Sequence, residues 1–324
     1  MPQSSAGRDD ADGPGLSPSA AFGLLGNETR VSILEALWDA QAEDETPVPF
    51  SALFGRVDYD DSGNFNYHLD RLVGHFVRRV EGGYELRSAG QHVVRAVLAG
   101  AMTSDPSFEP TEIDANCPYC GATVEAWYED ERFTARCTAC PGAVGDGSEH
   151  PPGTFLRYEV PPAALRGRTP EEVLAAAHVL YDAKLTALLE GVCPECGAVA
   201  DRSIDVCPDH DASEDDACEA CGSRHEVWID AVCRNCRYAR RFVAWFAVAT
   251  TPAVVSFLHD HGAPWDRVPF AKLTWENAHY VDAITESVAS TDPLRVRVTV
   301  DLDATLEVVF DEALAVVDVS RDDA

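Results

Sequence analysis

The chain has 324 residues, 46% of them hydrophobic, and carries 55 acidic against 25 basic side chains for a formal net charge of -30. That apolar content excludes a wholly disordered chain, and the length exceeds a typical single domain, enough for more than one core. Only Lys184 and Lys272 are lysines, and extreme acidity with almost no lysine predicts a cytoplasm of multimolar salt, where acidic surface keeps a protein hydrated.

Met1–Ser19 is polar, rich in Gly, Pro, Ser and Asp, and reads as a disordered lead-in with no signal peptide visible, so a cytoplasmic protein is expected. Ala20–Leu25 is a short apolar segment. Asn27 is a predicted cap for a helix over 28–40, whose Val31, Leu34, Leu37 and Trp38 form one stripe. An acidic loop, Glu43–Thr46, leads to a short helix over Phe50–Val57 with Leu53 and Phe54 inward. A turn over 59–63 opens a helix from about Ser62 to Gly74. Phe76–Val80 and Tyr84–Arg87 read as strands joined by Glu81-Gly82-Gly83, a hairpin signal. Ser88, with Gln91 three residues on, has a capping-box pattern and opens a last helix ending near Met102. Helices followed by a two-stranded hairpin and a helix predict a winged helix-turn-helix over 20–103.

Within the helix from Ser62, the residues Phe65, Leu69, Leu72 and Val73 share one face. Asn64, Tyr67, His68 and Arg71 are expected largely on the other, where Asn suits adenine, Arg suits guanine, and His or Tyr suits a base or a phosphate. Residues at a helix N-terminus reach base edges first, so Ser62, Asn64 and Asn66 join the candidates. Arg78, Arg79 and Arg87 fall on the hairpin, where they can meet phosphates or the minor groove. Over 71–95 five arginines (71, 78, 79, 87 and 95) face only Glu81 and Glu85, a local reversal of sign that makes double-stranded DNA the expected partner. In high salt counterion release contributes less, so base and shape contacts must carry more of the affinity.

Two stretches carry a family resemblance: Asn27-Glu28-Thr29-Arg30-Val31-Ser32-Ile33-Leu34 and Asn66-Tyr67-His68-Leu69-Asp70-Arg71-Leu72. The first resembles the helix opening, and the second the recognition-helix ending, of ArsR-type winged-helix transcription regulators. The resemblance covers about residues 20–102 and is similar to the haloarchaeal branch, whose members often append a cysteine-rich C-terminal domain. It implies a homodimer on a pseudo-palindromic operator, with the first and last helices of the winged helix as the interface. One feature departs from it. Metal-sensing members place paired cysteines before the turn or paired His/Asp ligands in the last helix, whereas 50–57 has no cysteine and the last helix offers only His92. Any effector is therefore expected to act through the C-terminal half.

Thr103–Pro110 reads as a linker into a cysteine-rich α+β domain over 104–320. Thr123–Tyr128 and Arg132–Arg136 are strand-like. Thr169-Pro170-Glu171-Glu172 is a strong helix start, continuing to about Glu190. Phe242–Leu258, the longest uncharged run, is short for a membrane span and reads as a buried strand entering a helix. Leu294–Leu302, Thr305–Phe310 and Leu314–Val319 read as strands.

All 11 cysteines fall at metal-ligand spacings, and His210 supplies a twelfth ligand. In a cytosolic protein such clusters point to metal rather than disulfides. Spacing pairs Cys117 and Cys120 with Cys137 and Cys140, Cys218 and Cys221 with Cys233 and Cys236, and Cys193 and Cys196 with Cys207 and His210, although ligands can be exchanged between neighbouring pairs. Two or three structural Zn2+ sites of zinc-ribbon type are expected. Arg234, Arg237, Arg240 and Arg241 crowd the last pair and are expected to meet carboxylates, with a second nucleic-acid contact as the alternative. No Walker loop, dinucleotide fingerprint, H-E-x-x-H or G-x-S-x-G occurs, and His259, His261 and His279 read as surface or helix-end residues. The sequence predicts a non-enzymatic, sequence-specific DNA-binding regulator. The alternative is a module docking on transcription or RNA-processing machinery without DNA specificity of its own.

Overall fold

The computed structural model describes residues 16–117, 119–142, 150–213, 217–263 and 283–322. The chain divides into two compact units, Met1–Thr103 and Ser104–Ala324. Helices and several antiparallel sheets are segregated along it, a mixed architecture compatible with the α+β class.

The first unit runs α1 (Pro18–Leu25), α2 (Glu28–Ala42), α3 (Phe50–Arg56), α4 (Ser62–Leu72), β1 (Val77–Val80), β2 (Gly83–Leu86) and α5 (Ser88–Ala99). Of the expected disordered lead-in, residues 1–15 lie outside the described residues. Its end is helical instead, because Ser17 accepts a hydrogen bond from the Ala20 amide at 3.2 Å and Pro18 sits in the first turn. Asn27 caps α2 through the Arg30 amide at 3.2 Å. Asp61 caps α4 by accepting from the amides of Gly63 and Asn64 at 2.9 and 3.1 Å. The capping box expected at Ser88 does not form. The Arg87 amide bonds to the Phe76 carbonyl at 2.9 Å, which extends the hairpin by one residue and makes Ser88 the first residue of the helix rather than its cap.

Ile33, Leu34, Leu53, Phe65, Leu69 and Leu72 are fully buried, so α2, α3 and α4 share one apolar core. Val48 pairs with Tyr84 as a single-residue third strand beside the hairpin. At Gly83 a Cβ would collide with the Val48 carbonyl, so this closure requires glycine.

In the second unit β3 (Phe108–Asn116), β4 (Thr123–Glu129), β5 (Arg132–Cys137) and β6 (Thr154–Glu159) form an antiparallel meander. The expected linker is shorter than predicted, since β3 begins at Phe108, whose ring packs 6.3 Å from that of Phe133. Helix α6 (Pro170–Leu189) starts with a complete capping box between Thr169 and Glu172. It joins two cores: Val173, Leu174 and Ala177 pack with the meander, and Leu185 and Leu188 belong to a second core nearer the C-terminus. That second core is covered by a three-stranded sheet, β7 (Ala200–Val206), β8 (Val227–Cys233) and β9 (Ala239–Val243), by α7 (Phe246–Ala249) and α8 (Pro252–Asp260), and by a four-stranded sheet. The strands of the latter are β10 (Ile284–Thr291), β11 (Leu294–Asp301), β12 (Thr305–Asp311) and β13 (Val316–Asp322), in that spatial order. The uncharged run 242–258 accordingly spans the end of β9, α7 and most of α8. His259 and His261 lie at the end of α8, while His279 lies outside the described residues. Among the described residues no helix is long and apolar enough to cross a membrane.

Candidate metal centres and nucleic-acid interface

Four of the cysteine pairs are built on one backbone turn. The amides of Cys117, Cys193, Cys218 and Cys233 donate to the carbonyls of Ala122, Ala198, Ser223 and Tyr238 at 2.7 to 2.9 Å. In the first three turns a glycine (Gly121, Gly197, Gly222) holds φ between 69° and 74° and returns its amide to the cysteine carbonyl. That left-handed conformation is open to glycine at no steric cost, which explains the Cys-x-x-Cys-Gly pattern. In the fourth turn the same place is held by Arg237 at φ 65°.

These turns aim the side chains into three groups of four: Cys117, Cys120, Cys137 and Cys140; Cys193, Cys196, Cys233 and Cys236; and Cys207, His210, Cys218 and Cys221. In each group all ligand atoms lie within 4.8 Å of one another. In the first group the Sγ atoms of Cys117 and Cys140 are 3.6 Å apart and those of Cys120 and Cys137 3.4 Å. In the second the Cys193–Cys236 and Cys196–Cys233 separations are 3.6 and 3.5 Å. In the third, Cys207 and Cys218 are 4.0 Å apart, and His210 Nδ1 is 3.6 Å from Cys221 Sγ. All 11 cysteines are free, and these separations are far beyond the roughly 2.05 Å of a disulfide bond. They match the edges of a tetrahedron with metal–sulfur bonds of about 2.3 Å, whose corners lie about 3.8 Å apart. The donor sets therefore fit a four-coordinate metal ion in each group.

Two of the three pairings expected from spacing are corrected. Cys193 and Cys196 join Cys233 and Cys236, and Cys207 and His210 join Cys218 and Cys221. The cause is strand register. β7 and β8 pair antiparallel with Ala200 opposite Cys233 and Val206 opposite Val227. The cysteines before β7 thus meet those after β8 at one end of the sheet, while those after β7 and before β8 meet at the other. Nesting replaces sequence order, and strands of seven residues hold the two centres about 20 Å apart.

The surroundings favour thiolates at particular positions. The amide of Ala198 and the side chain of Asn235 pull the Cys196 thiol down to about 6. At Cys137 burial opposes ionisation but is outweighed by the amides of Cys140 and Ala139, which bring it to about 7. Burial pushes Cys117 up, and pushes Cys221 up to about 12. His210 presents Nδ1 to the sulfurs, while its Nε2 lies 3.3 Å from the Arg224 carbonyl, the outer hydrogen bond that fixes the ring of a ligating histidine. Asn235, Arg224 and Tyr119, whose amide donates to Cys117 Sγ at 3.4 Å, carry no motif that singles them out in the sequence. Their one signal is position, inside or just after a cysteine pair.

The arginines near the last pair meet carboxylates. Arg234 makes a two-pronged contact with Asp201 at 2.6 and 2.8 Å, Arg240 binds Glu159 at 2.8 Å, and Arg241 binds Asp205 at 2.6 Å and Asp230 at 3.2 Å. Arg237 is exposed and makes no such pair among the described residues.

In the first unit Ser62, Asn64, Tyr67 and Arg71 are exposed on α4 and Asn66 is half-buried, and Arg78, Arg79 and Arg87 lie on or beside the hairpin. Asn64, Tyr67 and Arg71 fall at i, i+3 and i+7, one outward stripe. Asn66 donates to Asp70 at 3.0 Å. His68 is corrected: it is 9% exposed, its ring lies 6.1 Å from Tyr59 and 5.4 Å from Tyr67, and burial followed by the charge of Arg30 lowers its pKa. It lies three residues from Phe65 and beside Leu69, so it belongs to the inward face. The hairpin arginines meet the protein itself: Arg78 pairs with Glu85 at 2.6 Å, Arg79 with Asp70 at 3.4 Å and the Tyr84 hydroxyl at 2.6 Å, and Arg87 donates to the Gly74 carbonyl.

The chain is thus a two-unit protein: a helical unit carrying an exposed polar helix face, then a sheet-rich unit with three four-ligand groups able to hold metal. A family model described as a domain of unknown function (DUF7351) matches residues 114–316, more than half of the chain, and the protein belongs to that family. A second domain of unknown function (DUF7347) matches residues 18–97. No curated protein and no solved structure matches the chain.

Proposed function

We propose that the protein is a sequence-specific DNA-binding transcription regulator of a salt-rich cytoplasm. In this reading residues 20–103 are a winged helix-turn-helix of the ArsR type, with α4 reading the major groove and the β1–β2 hairpin as the wing. The observation that carries it is the outward stripe of Asn64, Tyr67 and Arg71, polar and aromatic on the one face of α4 that the core does not use. Arg71 makes no ion pair or side-chain hydrogen bond among the described residues, so its guanidinium is available for a base edge. A homodimer is supported by large apolar side chains left exposed on α1 and on or just after α5, namely Phe22 at 72%, Leu98 at 45% and Met102 at 65%. The three four-ligand groups are read as structural Zn2+ sites of zinc-ribbon type. Complete sets of four S or N donors leave no open position for catalysis. The second unit then serves dimer contacts, effector binding or recruitment of the transcription machinery.

The test is crosslinking and immunoprecipitation across the genome from cells grown in high salt, followed by binding of the purified protein to the enriched sequences in multimolar KCl. Promoter peaks sharing an inverted repeat are expected. Tyr67→Ala with Arg71→Ala should weaken specific binding by about 10- to 100-fold, the effect of losing one or two base contacts. No preference for any sequence in multimolar KCl sinks the reading. A second reading, a docking module for transcription or RNA-processing machinery, draws on the hairpin arginines, each engaged by an acceptor of the protein itself. It predicts partner capture that survives Arg71→Ala with Arg78→Ala.

A further inference from the structure

The first and third candidate metal centres are joined by one residue. Arg224 lies just after the third centre's turn, three residues beyond Cys221. Its carbonyl lies 3.3 Å from Nε2 of His210, a ligand of that centre. Its Nε donates to the Gly142 carbonyl at 2.8 Å, two residues beyond Cys140 of the first centre. Its guanidinium carbon lies 5.3 Å from the ring centroid of Tyr119, the residue whose amide donates to Cys117 Sγ. The next residue, His225, stands edge-on to the same Tyr119 ring at 6.5 Å, and its Nδ1 is 2.6 Å from the buried Glu286 carboxylate of β10. At Gly142 the Gly153 and Thr154 carbonyls crowd the place a Cβ would take, so this close backbone approach beside the first centre requires glycine.

We infer that these two centres load with metal cooperatively and that Arg224 carries the coupling. The inference rests on reading the four-ligand groups as metal centres. Binding at the third centre fixes the His210 ring and, through its Nε2, the backbone at Arg224. With that backbone fixed, the guanidinium is already in place over Tyr119 and against Gly142, so the two limbs of the first centre are ordered before its metal arrives. The ordering cost of the segment 221–225 falls on whichever centre loads first, and the other binds more tightly for it. Arg224 is a positioning residue and touches no metal. The second centre lies at the far end of the β7–β9 sheet and serves as the internal reference.

The coupling is measured on the full-length protein in zinc-buffered solutions, reading thiol protection from alkylation peptide by peptide, so that each centre gives its own midpoint in free Zn2+. Cys218→Ser, which breaks the third centre, should raise the midpoint of the first about tenfold while moving the second less than about twofold, the span of a modest coupling free energy. Cys137→Ser should raise the midpoint of the third by the same factor, as reciprocity demands. In an Arg224→Ala background, Cys218→Ser should add nothing to the midpoint of the first centre. Arg224→Gln, which keeps a donor for Gly142 without the charge over Tyr119, serves as the milder variant if the alanine lowers the second centre's affinity. A first-centre midpoint unmoved by Cys218→Ser, or a tenfold shift that persists without Arg224, overturns the inference. Absence of zinc protection at every centre in the unmodified protein overturns the metal reading itself.

Discussion

The two units hold themselves together by different means. The first is a single apolar core of patterned helices with no cysteine, its inward positions supplied by Ile33, Leu34, Leu53, Phe65, Leu69 and Leu72. The second spreads its apolar residues over two cores and ties three-stranded and four-stranded sheets to cysteine turns. Its β7–β9 sheet has only three strands and carries a ligand group at each end. One face of that sheet packs on the larger of the two cores through Val227, Ile229, Ala231 and Phe242, so the ligand groups stand at its ends and not in its middle. In our reading the acidic C-terminal half adds coordination to its packing, where the N-terminal half depends on packing alone.

The sharpest way to break this contrast is to remove the metal. A structural zinc site contributes on the order of 10 kcal/mol of folding free energy, about as much as a whole domain's net stability. Excess chelator, which empties all three centres at once, should therefore abolish the cooperative melting of the second unit and leave that of the first in place. Calorimetry of the full chain with and without chelator reads both transitions. A second-unit transition that survives with its midpoint unchanged refutes the dependence on coordination.

The converse change tests the first unit. Leu69 is fully buried on α4, and Leu69→Ala should cost about 2–5 kcal/mol through lost transfer energy and the cavity left behind. The first-unit transition should fall by roughly ten degrees or more, an expectation scaled from about 4–8 °C per kcal/mol for a domain this small, while the chelator-sensitive transition stays put. A joint shift of both transitions would show that the units do not melt separately.

Legibility in the sequence divides the same way. The helices and the hairpin of the first unit are readable because helical periodicity and caps such as Asn27 act within a few residues. The exception, His68, turns inward because the buried stripe of α4 is one residue wider than its apolar positions. In the second unit every ligand is visible, since each turn is local, but two of three groupings are not. They depend on the register of β7 against β8, two strands far enough apart in the chain that neither marks the other locally. β3, β6, β7, β8 and β10 are missed and β9 is truncated for the same reason, as non-local pairing leaves a weak local mark. Arg224 shows the limit most plainly: nothing in Gly-Ser-Arg-His predicts that one side chain reaches Gly142, 82 residues earlier.

The smallest expected effect bears on the turns themselves. Three of the four equivalent turns place glycine in the left-handed region and the fourth places Arg237 there at φ 65°. A side chain in that conformation costs about 1–2 kcal/mol, whereas glycine adds roughly 0.5–1 kcal/mol of unfolded-chain entropy. Arg237 is exposed and makes no ion pair or side-chain hydrogen bond among the described residues, so its removal loses little else. Arg237→Gly should therefore stabilise the zinc-loaded second unit by about 0.5 kcal/mol, the surplus of relieved strain over added entropy. Gly222→Ala, the mirror experiment in a turn that already has its glycine, should destabilise by about 1 kcal/mol. Paired denaturant titrations of the loaded protein read both. Opposite signs would establish the four turns as one structural unit used four times. A loss of stability in Arg237→Gly would mean that the arginine side chain supports its turn in a way the other three turns do without.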